Sequence, residues 1–172
     1  MSHSIRAANT SDVEIIAELG RSTFLDAHSS SAPKEDMENY LTEKFSKDVV
    51  KNDLDNPTNI FHLLFFSDKP AGYSKIQLNT PCTFLPENDA VCKMERLYIS
   101  KDFYDKKLGY KLFVFNKELC LQNNQTGLWL TVWVENERAV AFYERLGFRI
   151  IGEILFKVGA TQNPNYVMWL EF

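Results

Sequence analysis

Two segments of this 172-residue chain carry residue types at spacings that could do chemistry. The first runs Met94-Glu95-Arg96-Leu97-Tyr98-Ile99-Ser100 and resumes at Tyr104-Asp105-Lys106-Lys107-Leu108-Gly109. It reads as a strand that enters a loop and opens a helix. The first amides of such a helix have no partner inside it, and the macrodipole leaves them partly positive, so a diphosphate fits there. Lys106 and Lys107 add charge at that end, or are simply solvated. The second segment is Asn136-Glu137-Arg138-Ala139-Val140-Ala141-Phe142-Tyr143-Glu144-Arg145-Leu146-Gly147-Phe148. Asn136 suits an N-cap, Gly147 stops the helix, and Phe148 is placed for the hydrophobic contact of a C-terminal cap. A well-made short helix accounts for those features. It does not account for a phenol, Tyr143, directly after Phe142 and facing a strand end.

The elements that must position these segments follow from periodicity. A short extended start, Ser4–Ala8, precedes a capping signal, Ser11 with Glu14 three residues on. Val13, Ile16, Ala17, Gly20, Phe24 and Ala27 then recur at helical spacing. A second helical stretch covers about 34–54, with a break near Phe45–Ser46, and Pro57 ends it. Ile60–Phe66 is a continuous apolar run, Ser67-Asp68-Lys69-Pro70 a hairpin turn, and Gly72–Asn79 an alternating strand. Residues 80–90 read as a polar loop and Val91–Ser100 as a strand. Leu108, Leu112, Phe115 and Leu119 mark a helix face, Leu128–Val134 a strand, and residues 148–158 and 166–172 two closing strands. The strand–helix–strand order around 91–134 implies a parallel pair, and the hairpin at 60–79 implies antiparallel pairing. The expected fold is α/β: a mixed, mostly antiparallel sheet with a central parallel pair and helices on both faces, one domain over residues 1–172.

Composition excludes several classes. Apolar residues are 45% and charged residues 24%, ordinary for a soluble globular protein. The net charge of −4 argues against a general nucleic-acid binder, which needs a basic face. Residues 34–55 hold four Lys and seven Asp/Glu, and residues 101–111 hold four Lys and two Asp. That contrast suits a cationic substrate on one side and an anionic cofactor on the other, or two solvated faces. Cys82, Cys92 and Cys120 are odd in number and not paired in spacing, which excludes a disulfide framework and a cysteine zinc site. His3, His28 and His62 show no metal-ligand spacing, so no metal is expected; His62 reads as a satisfied core histidine. No targeting segment or membrane span is visible, and a cytoplasmic location is expected.

The two chemistry-bearing segments resemble the GNAT superfamily of acetyl-CoA-dependent N-acetyltransferases, and the order of elements fits that fold over essentially the whole chain. Within it the chain is most similar to the spermidine/spermine N-acetyltransferases of the PaiA type, through Ser22-Thr23-Phe24-Leu25-Asp26-Ala27-His28, Glu95-Arg96-Leu97-Tyr98-Ile99 and Trp129-Leu130-Thr131-Val132-Trp133. The loop departs from the superfamily's Gln/Arg-x-x-Gly-x-Gly/Ala: the matching positions are Tyr104, Lys107 and Gly109. Lys107 therefore carries a Cβ where the backbone approaches a diphosphate, and unusual dihedrals are expected there.

The resemblance implies acetyl-CoA as cosubstrate. Backbone around Leu97, Tyr98 and Ile99 is expected to hold the pantetheine arm, the loop and helix start from Tyr104, Asp105, Lys106 and Lys107 to Leu108, Gly109 and Tyr110 the diphosphate, and Asn136 to contact the coenzyme. Tyr143 is the candidate acid for the departing thiolate, or a core tyrosine. Glu95 is the candidate base for the amine, acting through water, or an ion-pair partner of Arg96 or a nearby lysine. Asp26, His28, Glu35, Asp36 and Glu38 line an acceptor cleft or are a solvated helix surface. The expected reaction is acetyl transfer to a primary amine, best a polyamine such as spermidine or spermine, by direct attack in a ternary complex. Two alternatives stay open: acetylation of a peptide or protein amine, and a CoA-binding regulatory module without chemistry. The expected partner is a small-molecule amine, with no nucleic acid and no membrane; a homodimer is compatible with the chain.

Overall fold

Leu63 and Leu64 stand next to each other on one strand and are buried in different places. Leu63 packs with Ile16, Phe61 and Tyr73, and Leu64 with Leu108 and Leu112. Successive side chains of a strand point to opposite faces, so this dipeptide alone requires a sheet with a core on each side. The structure, a computed structural model, describes residues 2–87 and 90–172; positions 88 and 89 of the expected 80–90 loop lie outside the described residues.

In chain order, β1 (His3–Ala7) leads into helices α1 (Val13–His28), α2 (Lys34–Phe45) and α3 (Lys47–Asp55). Strands β2 (Asn59–Phe66), β3 (Lys69–Gln77) and β4 (Val91–Ile99) follow. Then come α4 (Leu108–Gln122), β5 (Gly127–Trp133), α5 (Glu137–Arg145), β6 (Arg149–Val158) and β7 (Thr161–Glu171). Among the described residues the strands form one seven-stranded sheet in the order β1-β2-β3-β4-β5-β7-β6. Only β4 and β5 pair in parallel among these strands, as the crossover between them requires. Helices α1, α2 and α3 cover one face; α4 and α5 cover the other. The expected mixed sheet, parallel pair and two-sided helical cover are all present.

Some local expectations change. The helix entry is capped by Asn9 and Asp12, which exchange hydrogen bonds over a 3-10 turn; Ser11 and Glu14 form no such box. Asp12 is instead the buried partner of Arg6 at 2.7 Å, and Glu14 pairs with Lys47. The break at Ser46 occurs as expected; the hairpin turn is narrower than the expected 67–70, because Lys69 and Pro70 already pair in β3 and only Ser67 and Asp68, both at positive φ, make the turn. Strand β7 starts at Thr161, not near 166, because Pro164 lies within it and not in a turn. The Pro164 carbonyl accepts Val134 N at 3.1 Å, just past the last residue of β5. His62 is buried edge-on to Phe115, yet its Nδ1 has no partner, so it is a core histidine but not a satisfied one. All three cysteines are free and buried.

Candidate active site

The parallel pair is short. β4 and β5 are registered only at Val91 with Gly127, Cys92 with Leu128 and Lys93 with Trp129. Beyond Lys93 the two strands part, while β3 stays paired with β4 as far as Ile99. The backbone of Leu97–Ile99 thus has a strand neighbour on one side and a cleft of about 1200 Å3 on the other. Unpaired strand edges are strong hydrogen-bonding surfaces, and one opened inside a sheet suits an extended, amide-bearing ligand. The gap also joins the α4/α5 face of the sheet to the α1/α2 face.

A bulge sets which side chains enter it. Lys75 pairs with Arg96 and Ile76 with Met94, so Glu95 has no partner on β3. Before the bulge, Cys92 and Met94 face the core under α4; after it, Leu97 and Ile99 do. Tyr98 turns to the α1 side. Glu95 lines the cleft with a side chain 32% exposed, and its Oε2 meets Lys93 Nζ at 2.5 Å. Burial pushes this carboxyl up, but Lys93, with Lys75 and Arg96, outweighs it, and the group sits below its ordinary range. It is ionised at neutral pH. Arg96 lies over the Phe45 ring at 4.7 Å and 3.9 Å from Asp53, which also accepts from Lys75 at 2.8 Å.

The loop before α4 makes the second wall. Lys107 is left-handed, φ 57° and ψ 22°, and Asp105 also has positive φ, so the unusual dihedrals expected at this position are present. Lys107 offers no side-chain cap, and the first amide to close back is Lys111 N onto Lys107 O at 3.3 Å. The amides of Leu108, Gly109 and Tyr110 precede that bond and are left for a ligand. These three residues line the cleft with Tyr104, Asp105 and Lys107. Lys106 does not line it: the side chain is exposed and the amide bonds back to Phe103 O at 3.4 Å. Arg138 lies 3.2 Å from the centre of the Tyr104 ring, tying this loop to α5.

Helix α5 is built as its residues require. The Asn136 side chain accepts Ala139 N at 3.2 Å. At the far end Gly147 has φ +93°, and Phe148 N bonds Tyr143 O at 3.1 Å, which closes the C-terminal cap. The Phe148 ring sits 5.5 Å from that of Tyr143. Backbone and ring of Tyr143 are therefore held by the same cap. Tyr143 is 9% exposed and lines the cleft with Asn136. Burial, with Tyr98 nearby, pushes its phenol well above the ordinary range, so it keeps its proton at neutral pH.

The α1/α2 side of the cleft is aromatic. His28 stacks on Phe24 at 4.3 Å and on Trp133 at 5.3 Å, and burial lowers its pKa to about 4. Asp26 lines this side and pairs with Lys101 at 3.0 Å. Glu35, Asp36 and Glu38 do not line it; Glu38 pairs with Arg21 and Asp36 abuts Gly159. Tyr40, Phe156 and Asn165 line the site without any signal in the sequence. Arg138 was within reach of sequence reasoning, two residues after Asn136 in the same motif. Carboxylates of Asp26, Glu43, Asp53 and Glu95 line this half against Lys44, Lys75 and Arg96, whereas Lys107, Arg138 and Arg145 line the half beside α4 and α5 together with Asp105, Glu135 and Glu137. Among the described residues no helix is long and apolar enough to cross a membrane, and no group of three or more His, Cys, Asp or Glu is placed to hold a metal.

Comparison with known proteins finds a family and relatives over most of the chain. The acetyltransferase (GNAT) family model matches residues 21–148. An uncharacterized N-acetyltransferase in the pepI 3′ region of Lactobacillus delbrueckii subsp. lactis is 29% identical over 159 residues, 90% of this chain and 88% of that one. A spermidine N(1)-acetyltransferase of Thermoplasma acidophilum is 23% identical over 154 residues, 87% of this chain and 90% of the relative. The crystal structure of a PaiA N-acetyltransferase from Thermoplasma acidophilum in complex with coenzyme A superposes with a TM-score of 0.79 at 19% identity, covering 100% of both chains.

Proposed function

The chain belongs to the acetyltransferase (GNAT) family and is an acetyl-CoA-dependent N-acetyltransferase, and from that premise we propose that its acceptor is a polyamine, attacked directly with both substrates bound. The observation that carries the transfer is the unpaired edge of Leu97–Ile99, opened between Glu95 on one strand and Tyr143 behind the other. Its neighbours fit the coenzyme: free amides at Leu108–Tyr110 suit a diphosphate, and a strand edge suits the amides of the pantetheine arm. When bound, acetyl-CoA supplies a thioester carbonyl open to attack and a thiol to leave.

The chain's own residues handle the protons. The amine nitrogen bonds to the carbonyl carbon, the carbon–sulfur bond breaks, and one proton must leave nitrogen while one reaches sulfur. Glu95, ionised by its cationic neighbours, accepts the first through water. Tyr143, kept protonated by burial, gives its hydroxyl proton to the sulfur and regains one from solvent. Asn136 and the Arg138–Tyr104 pair orient the coenzyme at the mouth of α5. Among the described residues none at the gap is placed as an activated nucleophile, which favours direct attack over an acyl-enzyme.

The polyamine rests on two supports. Carboxylates outnumber cations on the α1/α2 half of the cleft. The relative named a spermidine acetyltransferase covers most of the chain. An amine panel with acetyl-CoA, read by free thiol, tests it: spermidine and spermine are expected to give the highest kcat/KM. A peptide N-terminus outperforming both would move the acceptor to the peptide class.

A further inference from the structure

Six side chains on the α1/α2 side of the cleft form a wall that the proton transfers do not use: Phe24, His28, Tyr40, Trp133, Phe156 and Asn165. The rings form a continuous array. Trp133 stacks on His28 at 5.3 Å, His28 on Phe24 at 4.3 Å, Phe24 on Tyr40 at 4.7 Å, and Tyr40 meets Phe156 edge-on at 5.6 Å. Asn165 lies directly opposite Trp133 in the β5–β7 register, so the two side chains share a face. It is 5% exposed, and its Oδ1 is buried without a hydrogen-bond partner.

Buried polar atoms nearly always find a partner, and one left unpaired costs stability. On the wall of a substrate cleft, such an oxygen is an acceptor for a donor that the ligand brings. The surroundings say which donor. Ring faces are negative and attract cations. His28 carries no charge at neutral pH, so no fixed positive charge stands within the array. An anion finds neutral donors only, among them those of Asn165, Tyr40 and Trp133. An ammonium finds the acceptor oxygen of Asn165 beside Trp133, the end ring of the stack.

The geometry points to a subsite in which Asn165 Oδ1 and the ring array hold a second, unreacting ammonium of the acceptor, selecting diamines and longer polyamines over monoamines. This rests on the polyamine reading and names the residue that would enforce it. Asn165 touches the distal nitrogen and not the one acetylated; it is a specificity residue.

The test compares spermidine with n-butylamine, a monoamine with no distal nitrogen, in the wild type, Asn165→Leu and Asn165→Asp. Asn165→Leu should lower the spermidine-to-butylamine ratio of kcat/KM by about tenfold or more, the usual size of a lost hydrogen bond to a charged group. Asn165→Asp keeps the side-chain volume and should hold or raise that ratio. A ratio unchanged in Asn165→Leu overturns the subsite, as does an equal fall in both variants: a buried water on Oδ1, or a purely structural amide, predicts those results. Thermal shift supplies a second readout that needs no turnover and also detects a variant that fails to fold. Spermidine should raise the Tm of the wild type more than butylamine does, and Asn165→Leu should erase the difference. If the wild type acetylates neither amine, the polyamine reading fails on its own. The subsite is then decided by that Tm difference, and its absence overturns it.

Discussion

Lys93 meets Glu95 at 2.5 Å beside the β4 bulge, so the carboxylate that faces the cleft is also one member of an ion pair. Of the two roles that the sequence leaves open for Glu95, the ion pair is observed, and the carboxylate also lines the cleft, where the proposed base would act. A partly exposed pair contributes little to stability, at most about 1 kcal/mol. Its larger effect is to keep Glu95 ionised at the gap.

Glu95→Gln should lower turnover at neutral pH, and the loss should shrink as pH rises, because more of the amine (pKa ~10) then arrives deprotonated. Turnover against pH at saturating substrates checks this. A variant that parallels the wild type at every pH leaves Glu95 with the ion pair alone.

Tyr143→Phe keeps the ring contact with Phe148 and the C-terminal cap, which is made by backbone. Turnover should fall ~10²-fold, in the range of a lost general acid, with Tm little changed. Full activity would leave Tyr143 a core residue and assign the proton to water.

Lys107 sits at φ 57°, a conformation that costs a residue with a Cβ roughly 1–2 kcal/mol. Lys107→Gly removes that strain but raises the entropy of the unfolded chain, which offsets part of the gain, so a net stabilisation of up to about 1 kcal/mol is expected from denaturant unfolding. A clear loss of stability would mean that the lysine side chain, exposed as it is, holds the loop.

His28 takes up its proton near pH 4 in the fold, against 6.5 ordinarily. Between those values the unfolded chain binds more protons, so stability falls as pH drops from 6.5 toward 4 and levels off below. His62 is lowered by burial too and contributes in the same direction. His28→Phe keeps the stack between Phe24 and Trp133 and should make the fall with pH shallower. Identical slopes for the two proteins would contradict a buried neutral His28.

What was legible in the sequence is what local chemistry dictates. Asn136 and Gly147 mark the ends of α5 because caps are made by the residues at the ends themselves. Lys107 reads as strained because a superfamily glycine position carries a Cβ. The bulge at Glu95 has no such signature. Regular alternation would put Glu95, Leu97 and Ile99 on one face, and only the register against β3 shows that it resets there. The aromatic wall joins positions 24, 28, 40, 133, 156 and 165, which no periodicity links; the packing of α1 and α2 on β5–β7 assembles them. Pro164 hid the first half of β7 because a proline reads as a break, although past the end of β5 its missing N–H is not needed.

Initial velocities over a grid of acetyl-CoA and spermidine concentrations test the central claim most directly. Transfer by direct attack at the gap between β4 and β5 predicts a rate that depends on both substrates, with double-reciprocal lines that intersect. Parallel lines would contradict direct attack, and thiol release independent of spermidine would contradict the acceptor.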